Sequence, residues 1–390
     1  MKLKKLAIVS DCIHMYDNSG NVVTENHILR KQLEALSSLF EETLICCPFV
    51  QYSASQVVSA YTCKTISFLP LPNVGGNSIA DKFRIIKVIP AWLRVFKKIN
   101  AFADIVYQRF PNNLNIPGAL YFWWKNKKVF ATYTGTWVDY PGEPFTYRLQ
   151  KQILKNQFRG PVFIYIKGSP KDKKYVKSFS PSFSLQEWME EDPFIEQKVI
   201  RHHNTLTSVP LFITVGSLQK NKNQQFILEV FNHLHKKAVE FKLILVGDGP
   251  LKENYGSFIR ENDLAQKVFL LGKKTSAELK LLYREADFVI QAPIAEGFGK
   301  VPVEGFCYGA IPWLSNTALA QEMIGDNERG FLFELEHAGQ LAERIKCVLE
   351  SRIKYDLYSM IQNGRVFSRT FTIDNWVESI KRQLDIYDEN

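Results

Sequence analysis

The chain of 390 residues has little cysteine and no long apolar run. Its six cysteines form no C-x-x-C pair and show no regular spacing, which argues against a disulfide framework or a zinc site and is typical of a reducing compartment. Nowhere do 18 apolar residues run together, and the apolar stretch 6–10 is too short for a signal-peptide core. The sequence predicts a cytoplasmic protein without a membrane span, and leaves peripheral attachment to the inner face of the cell membrane open.

Motifs for metal ions are also missing. No Asp-x-Asp occurs, so the usual carboxylate pair that holds a divalent metal is absent. His202-His203 and His233-x-His235 have no cysteine nearby, and residues two apart on a helix point to different sides. The sequence therefore predicts no metal and no other cofactor.

Negative charge is scarce in one half of the chain only. The 49 Lys and Arg against 40 Asp and Glu give a net charge of +9. Residues 1–200 contain 26 basic and 16 acidic residues, whereas residues 201–390 contain 23 and 24. An anionic partner would therefore meet the N-terminal half. We expect no nucleic acid, because no RNA- or DNA-binding module is recognisable.

Apolar runs alternate with amphipathic stretches, a pattern typical of parallel sheets covered by helices. In the first half this predicts strands at 6–10, 43–47, 65–69, 105–108, 129–134 and 163–166, with helices at 25–39, 83–100 and 147–156. In the second half it predicts strands at 211–215, 242–246, 267–271, 287–291 and 310–314, with helices at 224–236, 251–262, 275–284, 302–308 and 338–350.

The predicted fold class is α/β, with two Rossmann-like doubly wound domains. The polar stretch 180–210 breaks the periodicity and separates an N-terminal domain, 1–200, from a C-terminal domain, 201–370. An amphipathic helix within 371–390 has no sheet of its own and is expected to cross back to the N-terminal domain. Ligands of open parallel sheets bind outside the carboxyl ends of the strands, so we expect two facing sheets to bind ligands across one cleft.

The most specific motif is Glu296-Gly-Phe-Gly-Lys-Val-Pro-Val-Glu304, between a predicted strand and a predicted helix. Gly297 and Gly299 let the backbone approach a ligand, and the start of the helix offers N–H groups to an anion. Glu296 and Glu304 can accept hydrogen bonds from hydroxyl groups. A nucleotide sugar, with phosphate between two polyhydroxyl groups, fits this layout. Two glutamates eight apart are, by themselves, more typical of a solvated helix surface than of a binding site.

Residues 211–350 resemble the donor-binding domain of retaining family 4 glycosyltransferases of the GT-B fold, the glycosyl transferases group 1. The motifs that carry the resemblance stand in the family's order: Phe212-Ile-Thr-Val-Gly-Ser-Leu-Gln-Lys-Asn-Lys222, Leu245-Val-Gly-Asp-Gly-Pro250, Val268-Phe-Leu-Leu-Gly272, the two glutamates, Glu322-Met-Ile-Gly-Asp and Gly330-Phe-Leu-Phe333. The resemblance implies that Glu296 holds hydroxyls of the transferred sugar and Glu304 the nucleotide ribose. It also implies that the backbone of Phe298, Gly299 and Lys300 faces the sugar and the diphosphate.

The sequence departs from the family at one cationic position. Relatives usually have Gly-Arg-Leu followed four residues later by Lys, whereas this chain has Gly216-Ser217-Leu218 and then Lys222. A lysine gives the leaving diphosphate a point charge but no bidentate fork. Ser217 would therefore donate a hydroxyl hydrogen bond, or another cation, for which Lys300 is the candidate, would substitute. Residues 247–250 are interpreted first as a turn and second as a ligand loop.

The first half contributes weaker candidates. Asn18-Ser-Gly20-Asn21 resembles the glycine-containing loop that approaches the donor in these enzymes. Thr134 stands where many relatives have a histidine at the end of a strand. Arg109 follows the predicted strand 105–108, and its position predicts that it faces the cleft as an acceptor contact.

The basic, amphipathic stretch 81–98 carries Trp92 and has two interpretations. It is either an interfacial helix on an anionic membrane or an ordinary helix that covers a sheet and is kinked at Pro90.

The resemblance as a whole implies a retaining, metal-independent hexosyltransferase. It would transfer a sugar from a nucleotide diphosphate-sugar donor to a glycan acceptor. By the same resemblance we expect the acceptor to be lipid-linked and the reaction to belong to bacterial surface polysaccharide biosynthesis. A non-catalytic subunit that binds a nucleotide sugar or a glycan, and a nucleotide-sugar epimerase, are the alternatives on the same fold.

Overall fold

The computed structural model describes residues 3–53, 56–72, 79–140, 143–203, 209–317, 319–335, 337–350 and 355–389. The chain divides into unit 1, Met1–Pro181 with Ile373–Asn390, and unit 2, Ser182–Thr372. Each unit contains a parallel sheet with helices, which confirms the predicted α/β class. Among the described residues, no helix is both long and apolar enough to cross a membrane.

Unit 1 is built on a parallel sheet with the strand order β10-β9-β8-β7-β1-β4-β6, and β2, β3 and β5 form a small antiparallel sheet. Up to residue 181 its elements are β1 (Leu3–Val9), β2 (Met15–Tyr16), β3 (Val22–Thr24), α1 (His27–Ser37), β4 (Phe40–Pro48), β5 (Ser59–Ala60), β6 (Ile66–Leu71), α2 (Ile79–Phe102), β7 (Ile105–Phe110), α3 (Asn115–Trp124), β8 (Lys128–Tyr133), α4 (Phe145–Asn156), β9 (Val162–Ile164) and β10 (Tyr175–Lys177).

Unit 2 has a parallel sheet with the strand order β13-β12-β11-β14-β15-β16. Its elements are α5 (Leu185–Met189), α6 (Asp192–His203), β11 (Leu211–Val215), α7 (Gln224–Lys236), β12 (Lys242–Val246), α8 (Lys252–Glu261), β13 (Val268–Leu270), α9 (Ser276–Glu285), β14 (Phe288–Gln291), α10 (Lys300–Cys307), β15 (Ile311–Ser315), α11 (Ala320–Ile324), β16 (Phe331–Phe333), α12 (Ala338–Glu350) and α13 (Leu357–Ser368). The last helix, α14 (Ile373–Glu389), belongs to unit 1.

The sheet of unit 1 has a separate core on each face. Successive side chains of a strand point to opposite faces, and in β1 Ala7 lies in the core formed with α2, α3 and α4, whereas Ile8 lies in the core formed with α1 and α14. From α14, the second core receives Trp376, Ile380 and Leu384. The expected crossing of the C-terminal helix back to the N-terminal unit is therefore confirmed.

The boundary between the two units lies at 181/182, within the predicted stretch 180–210, but the described residues 185–203 of that stretch are mostly helical. Ser184 and Glu187 form a capping box at the start of α5, with Ser184 Oγ 3.1 Å from the Glu187 amide and Glu187 Oε2 2.8 Å from the Ser184 amide. In α6, the buried Lys198 donates hydrogen bonds from Nζ to the carbonyl oxygens of Tyr283, Ala286 and Tyr308 at 3.1, 2.7 and 2.8 Å. These bonds place residues 182–200 in unit 2 rather than in a domain 1–200.

The stretch 81–98 lies within α2, and the side chains of residues 79–86 lie outside the described part. Trp92 is only 2% exposed and packs in the core beside Phe96 and Ile99. Its ring is therefore not available to a membrane surface, contrary to the interfacial interpretation. The apolar face of α2 covers the sheet, and its exposed face is basic.

Candidate active site

Two loops of unit 2 meet at the carboxyl edge of its sheet. They follow the neighbouring parallel strands β11 and β14, whose residues Phe212 and Phe288 are paired. The amide of Ile294 in the second loop donates to the carbonyl oxygen of Asn221 in the first, at 3.0 Å. The sheet order thus brings together two segments that are more than 70 residues apart in the chain.

Lys222 and Glu296 form an ion pair that joins these two loops. Lys222 ends the 3-10 turn Lys220–Lys222, and Glu296 precedes the first glycine of the motif. The Lys222 side chain is 25% exposed and that of Glu296 is 27% exposed. Both charged groups predicted to meet the donor are therefore at one place, and both retain access to solvent.

A buried glutamine holds the first loop. Gln224, the first residue of α7, donates from Nε2 to the carbonyl oxygen of Ser217 at 3.1 Å, and its Oε1 accepts a hydrogen bond from the Tyr255 hydroxyl at 3.4 Å. Ser217 is half-buried, and its carbonyl also accepts from the amide of Gln219 at 2.9 Å. Sequence reasoning missed Gln224, whose role depends on a helix that begins seven residues after the serine.

The segment 247–249 is the support on which the first loop rests. The amide of Gly216 donates to Val246 at 2.9 Å, and the amide of Leu218 to Asp248 at 3.0 Å. Gly247 has a φ of +139°, and a Cβ there would overlap the carbonyl oxygen of Gly216. The glycine is thus required by the close approach of two backbones, which accounts for the turn interpretation of this motif.

The second loop ends in a helix start that no side chain caps. Gly299, with a φ of +76°, is the N-cap of α10, so the N–H groups of the first turn have no side-chain partner at the cap. Phe298 is buried, and its ring lies 5.4 Å from that of Phe371. Its side chain anchors the loop while its backbone leads into the helix. Lys300 is the first helical residue, and its role as a second cation stays a prediction.

Glu304 is buried in α10 and oriented by a tyrosine. The Tyr283 hydroxyl donates to Glu304 Oε2 at 2.7 Å, and the Tyr283 ring stacks on that of Tyr308 at 5.4 Å and 6°. Burial, together with the neighbouring carboxylate of Glu304, raises the pKa of Tyr283 well above its usual range, so the phenol keeps its proton. Tyr283 was missed in the sequence, because nothing in α9 marks it as a partner of a residue 21 positions later.

Asn18 and Gly20 lie in unit 1 at the exposed tip of the turn between β2 and β3. The Asp17 carboxylate accepts the amide of Asn21 at 2.8 Å, and the amide of Asp17 donates to the Asn21 carbonyl at 2.9 Å. The helix that follows begins at His27. The hydrogen bonds of the turn account for its sequence, and a contact of Asn18 or Gly20 with the donor stays a prediction.

Arg109 and Thr134 lie at the carboxyl ends of the neighbouring strands β7 and β8. Arg109 Nη1 is buried and has no hydrogen-bond partner within the described residues. Burial raises the pKa of the nearby Asp11, and the charge of Arg109 partly offsets that rise. Thr134 donates from its amide and its hydroxyl to the carbonyl oxygen of Phe110, at 2.7 and 3.1 Å. Of the two acceptor candidates, Arg109 is thus the one with a donor group left for a ligand.

Comparison with known proteins shows which family the unit that contains the ion pair is similar to. Residues 196–367 match the family described as Glycosyl transferases group 1. This segment, which is less than half of the chain, is similar to group 1 glycosyl transferases. Its bounds include both loops, α10 and the Glu304–Tyr283 hydrogen bond, so the predicted donor residues of the second half all lie within the matched segment.

Two curated relatives of the chain are glycosyltransferases by name. It is 30% identical over 139 residues to the N-acetylgalactosamine-N,N'-diacetylbacillosaminyl-diphospho-undecaprenol 4-alpha-N-acetylgalactosaminyltransferase of Campylobacter jejuni, which is 35% of this chain and 37% of the relative. It is 25% identical over 251 residues to the uncharacterized glycosyltransferase MJ1178 of Methanocaldococcus jannaschii, which is 61% of this chain and 65% of the relative. The chain thus spans less than two thirds of the length of both relatives.

A solved structure extends the likeness to the whole chain. The structure of Anabaena Alr3699/HepE in complex with UDP has a TM-score of 0.70 and 14% identity, and the match covers 98% of this chain and 100% of that chain. At this identity the match concerns the fold alone. It confirms the GT-B fold class, with a Rossmann-like sheet in each of the two units.

Proposed function

We propose that the protein is a retaining, metal-independent glycosyltransferase that takes a hexosyl group from a nucleotide diphosphate sugar. The observation that carries the proposal is the contact between Lys222 and Glu296 at the carboxyl edge of the unit 2 sheet. In this arrangement, a cation for the leaving diphosphate stands beside a carboxylate for the sugar hydroxyls. The uncapped start of α10 adds N–H donors for phosphate oxygens.

The remaining part of the donor site recognises the nucleotide. Glu304 lies one turn into α10, and the hydrogen bond from Tyr283 fixes one of its carboxylate oxygens. A buried carboxylate held in this way is preorganised to accept hydrogen bonds from the two ribose hydroxyls. Ser217, at the position where relatives have arginine, would donate its hydroxyl to the diphosphate.

In the proposed reaction the bond from the anomeric carbon to the diphosphate oxygen breaks, and a bond to the acceptor oxygen forms on the same face of the sugar. The acceptor hydroxyl loses its proton to the departing phosphate, so charge and atoms balance without a protein base. Lys222 and the start of α10 stabilise the negative charge that develops on the leaving group. Arg109 is proposed to contact the acceptor.

The acceptor is proposed to be a lipid-linked glycan in bacterial surface polysaccharide assembly. The printed name of the Campylobacter jejuni relative specifies a diphospho-undecaprenol acceptor, and another relative is the alpha-monoglucosyldiacylglycerol synthase of Streptococcus pneumoniae, 26% identical over 135 residues. Both names describe sugar transfer to lipid-bearing molecules, which supports the proposal for this chain.

The test begins by measuring the Tm of the protein with uridine, guanosine or adenosine diphosphate, because a bound nucleotide raises the apparent stability of the fold. Release of the matching nucleoside diphosphate from a panel of sugar donors is then measured for wild type, Lys222→Ala and Glu304→Gln. Lys237→Ala is the matched control, since Lys237 forms an ion pair with Glu343 elsewhere in unit 2. We expect only the first two variants to lose turnover, and undiminished turnover in both would refute the site.

Two other outcomes would favour the alternatives. The protein would be a non-catalytic binding subunit if it bound the donor but neither released nucleoside diphosphate nor transferred the sugar to any acceptor. This alternative is tested because Ser217 stands where relatives have arginine. Conversion of the donor into an isomeric nucleotide sugar in the absence of acceptor would indicate an epimerase.

A further inference from the structure

The helices on one face of the unit 1 sheet carry exposed aromatic side chains. α2, α3 and α4 share one core, in which the rings of Phe96 and Phe122 lie 5.5 Å apart. On the outer side of this layer, Trp123 is 42% exposed, Trp124 is 68% exposed and Phe145 is 76% exposed. Leucines at the same surface are also exposed, namely Leu93, Leu120 and Leu149. Large apolar side chains exposed along one layer of helices indicate an interaction surface.

The helices of the same layer carry no carboxylate in the part whose side chains are described, and the exposed Asp104 and Asp139 lie in the segments that adjoin α2 and α4. α3 and α4 contain no Asp or Glu, and neither does 87–102, the part of α2 whose side chains the structure describes. The exposed basic residues of these helices and of the turns that follow them are Lys87, Arg94, Lys97, Lys98, Lys125, Arg148, Lys155 and Arg159. The helices of the opposite face, α1 and α14, contain acidic residues such as Glu34, Asp374 and Glu378. Eight exposed basic residues of the N-terminal half therefore lie on this one face.

Cations lie directly against the two exposed tryptophans. Lys125 Nζ is 3.8 Å from the centre of the Trp124 ring, and the Arg159 guanidinium carbon is 5.5 Å from that of Trp123. Arg159 Nη1 donates a hydrogen bond of 2.6 Å to Asn126 Oδ1, which holds the guanidinium in place. Tryptophan is enriched at membrane interfaces because its ring is amphipathic, and lysine and arginine beside it can bind lipid phosphates.

We infer that the outer face of α2, α3 and α4 docks on the surface of an anionic lipid bilayer, with Trp123 and Trp124 at the level of the headgroups. The exposed leucines favour lipid over nucleic acid, since an aliphatic side chain gains little from a phosphate backbone or a base edge. The inference rests on the proposed function for its purpose, because the face would hold the protein on the membrane that bears the acceptor. The anchor is at the end of α3 and not at Trp92.

The experiment uses the full chain and needs no sugar donor. Sedimentation with vesicles of phosphatidylcholine mixed with phosphatidylglycerol is compared with sedimentation with pure phosphatidylcholine. We expect binding to the mixed vesicles only, and weaker binding at high salt. Brominated lipid in the mixed vesicles is expected to quench tryptophan fluorescence in wild type and to quench it less in Trp123→Ala/Trp124→Ala.

Charge-reversal variants test which face binds. Lys97→Glu/Lys98→Glu is expected to weaken binding by at least about 25-fold, since each basic residue near the surface contributes about fivefold. Lys381→Glu/Arg382→Glu makes the same change of charge on α14, at the opposite face, and is expected to bind as wild type does. These four side chains are exposed, and thermal unfolding of each variant shows whether the fold is retained.

Several results would overturn the inference. With vesicles, these are equal binding of the protein to both kinds of vesicle, an equal loss of vesicle binding in the two charge-reversal variants, or unchanged quenching of tryptophan fluorescence in the tryptophan variant. Without lipid, they are self-association of the protein through Trp123 and Trp124, or binding to RNA by a protein that does not bind vesicles. If the protein turns over donor but does not bind vesicles, the proposed membrane-binding surface is refuted and the proposed function is not. A protein that binds vesicles but has no turnover refutes the proposed function alone.

Discussion

Exchanging the charges of Lys222 and Glu296 separates two roles that this ion pair could have. In the double variant Lys222→Glu/Glu296→Lys, opposite charges still join the loops after β11 and β14. The cation, however, moves to the loop predicted to meet the sugar, and a carboxylate takes the position predicted to meet the diphosphate. A pair that only joins loops tolerates the exchange, whereas a pair that binds the donor does not.

The structure sets the size of both effects. Because the two side chains are 25% and 27% exposed, their attraction is screened by water, and we expect it to contribute up to about 1 kcal/mol to the free energy of unfolding. A preorganised group that meets the charge developing on a leaving group contributes about 2.7–4 kcal/mol to the transition state, which is a factor of about 10²–10³ in kcat. The loss of activity should therefore exceed the loss of stability.

The assay combines thermal unfolding with release of nucleoside diphosphate at saturating donor. The single variant Lys222→Glu is expected to lower Tm by about 2–4 °C, the shift that 1 kcal/mol produces in a unit of this size, and to lower kcat at least about 100-fold. The double variant should regain the Tm and not the kcat, while Lys222→Arg should retain most of both. Recovery of activity together with Tm in the double variant would refute the reasoning, because it would show that the pair only joins the loops.

Three further substitutions test the surroundings of the site. Tyr283→Phe keeps the ring but removes the hydrogen bond to the buried Glu304, so we expect about tenfold weaker nucleotide binding by calorimetry with a smaller change in kcat; unchanged binding would contradict the role given to this tyrosine. Burial alone would raise the pKa of Glu191, but the hydrogen bonds and charges of Arg284 and Lys280 together outweigh burial and leave that pKa below its usual value. The contribution of Glu191 to stability is thus present above about pH 4.3 and is lost as the pH falls through the lowered pKa. In Glu191→Gln, Tm should therefore fall less steeply at acid pH than it does in wild type. An equally steep fall of Tm in both proteins would count against the ion pair. Gly247→Ala should lower the free energy of unfolding in urea by more than about 2 kcal/mol, because its Cβ would overlap the loop that carries the donor residues; a near-neutral result would mean that the loop yields easily.

The buried strands and helices of unit 2 could be predicted closely from the sequence. The structure has β11 at Leu211–Val215, β12 at Lys242–Val246, α7 at Gln224–Lys236 and α12 at Ala338–Glu350, with the predicted bounds. Strands covered on both faces appear as continuous apolar runs, and polar turns bound each run. Where periodicity and turn residues agreed in this way, the prediction needed no tertiary information.

Elements with conflicting local signals were missed. Pro117 and Gly118 broke the helical pattern of α3, yet the proline lies in the first turn, where its missing N–H costs nothing, and Gly118 is needed because a Cβ would lie 2.9 Å from the Gln108 side chain. In the stretch 180–210 the spacing of Ser184 and Glu187 was a visible signal for a helix start, and it was overlooked.

In the candidate site, too, some features could be predicted from the sequence and others could not. Motifs identified Glu296, Glu304 and Lys222, but not which of them touch, because contacts between residues 74 positions apart depend on β11 and β14 being neighbours in the sheet. The hydrogen bond from Tyr283 likewise depends on how α9 and α10 pack. Residue types that do chemistry were thus visible in the sequence, while the groups that orient them were not.

The return of α14 to unit 1 makes unit 2 an insertion within it. Residues 182–372 are synthesised between the sheet of unit 1 and the helix that completes one of its two cores, where Trp376 and Ile380 pack against Leu29 and Leu33. On the ribosome, unit 2 can therefore finish folding while the apolar face of the unit 1 sheet that α14 will cover is still exposed. Until α14 emerges, that uncovered apolar face is available for chaperones to bind.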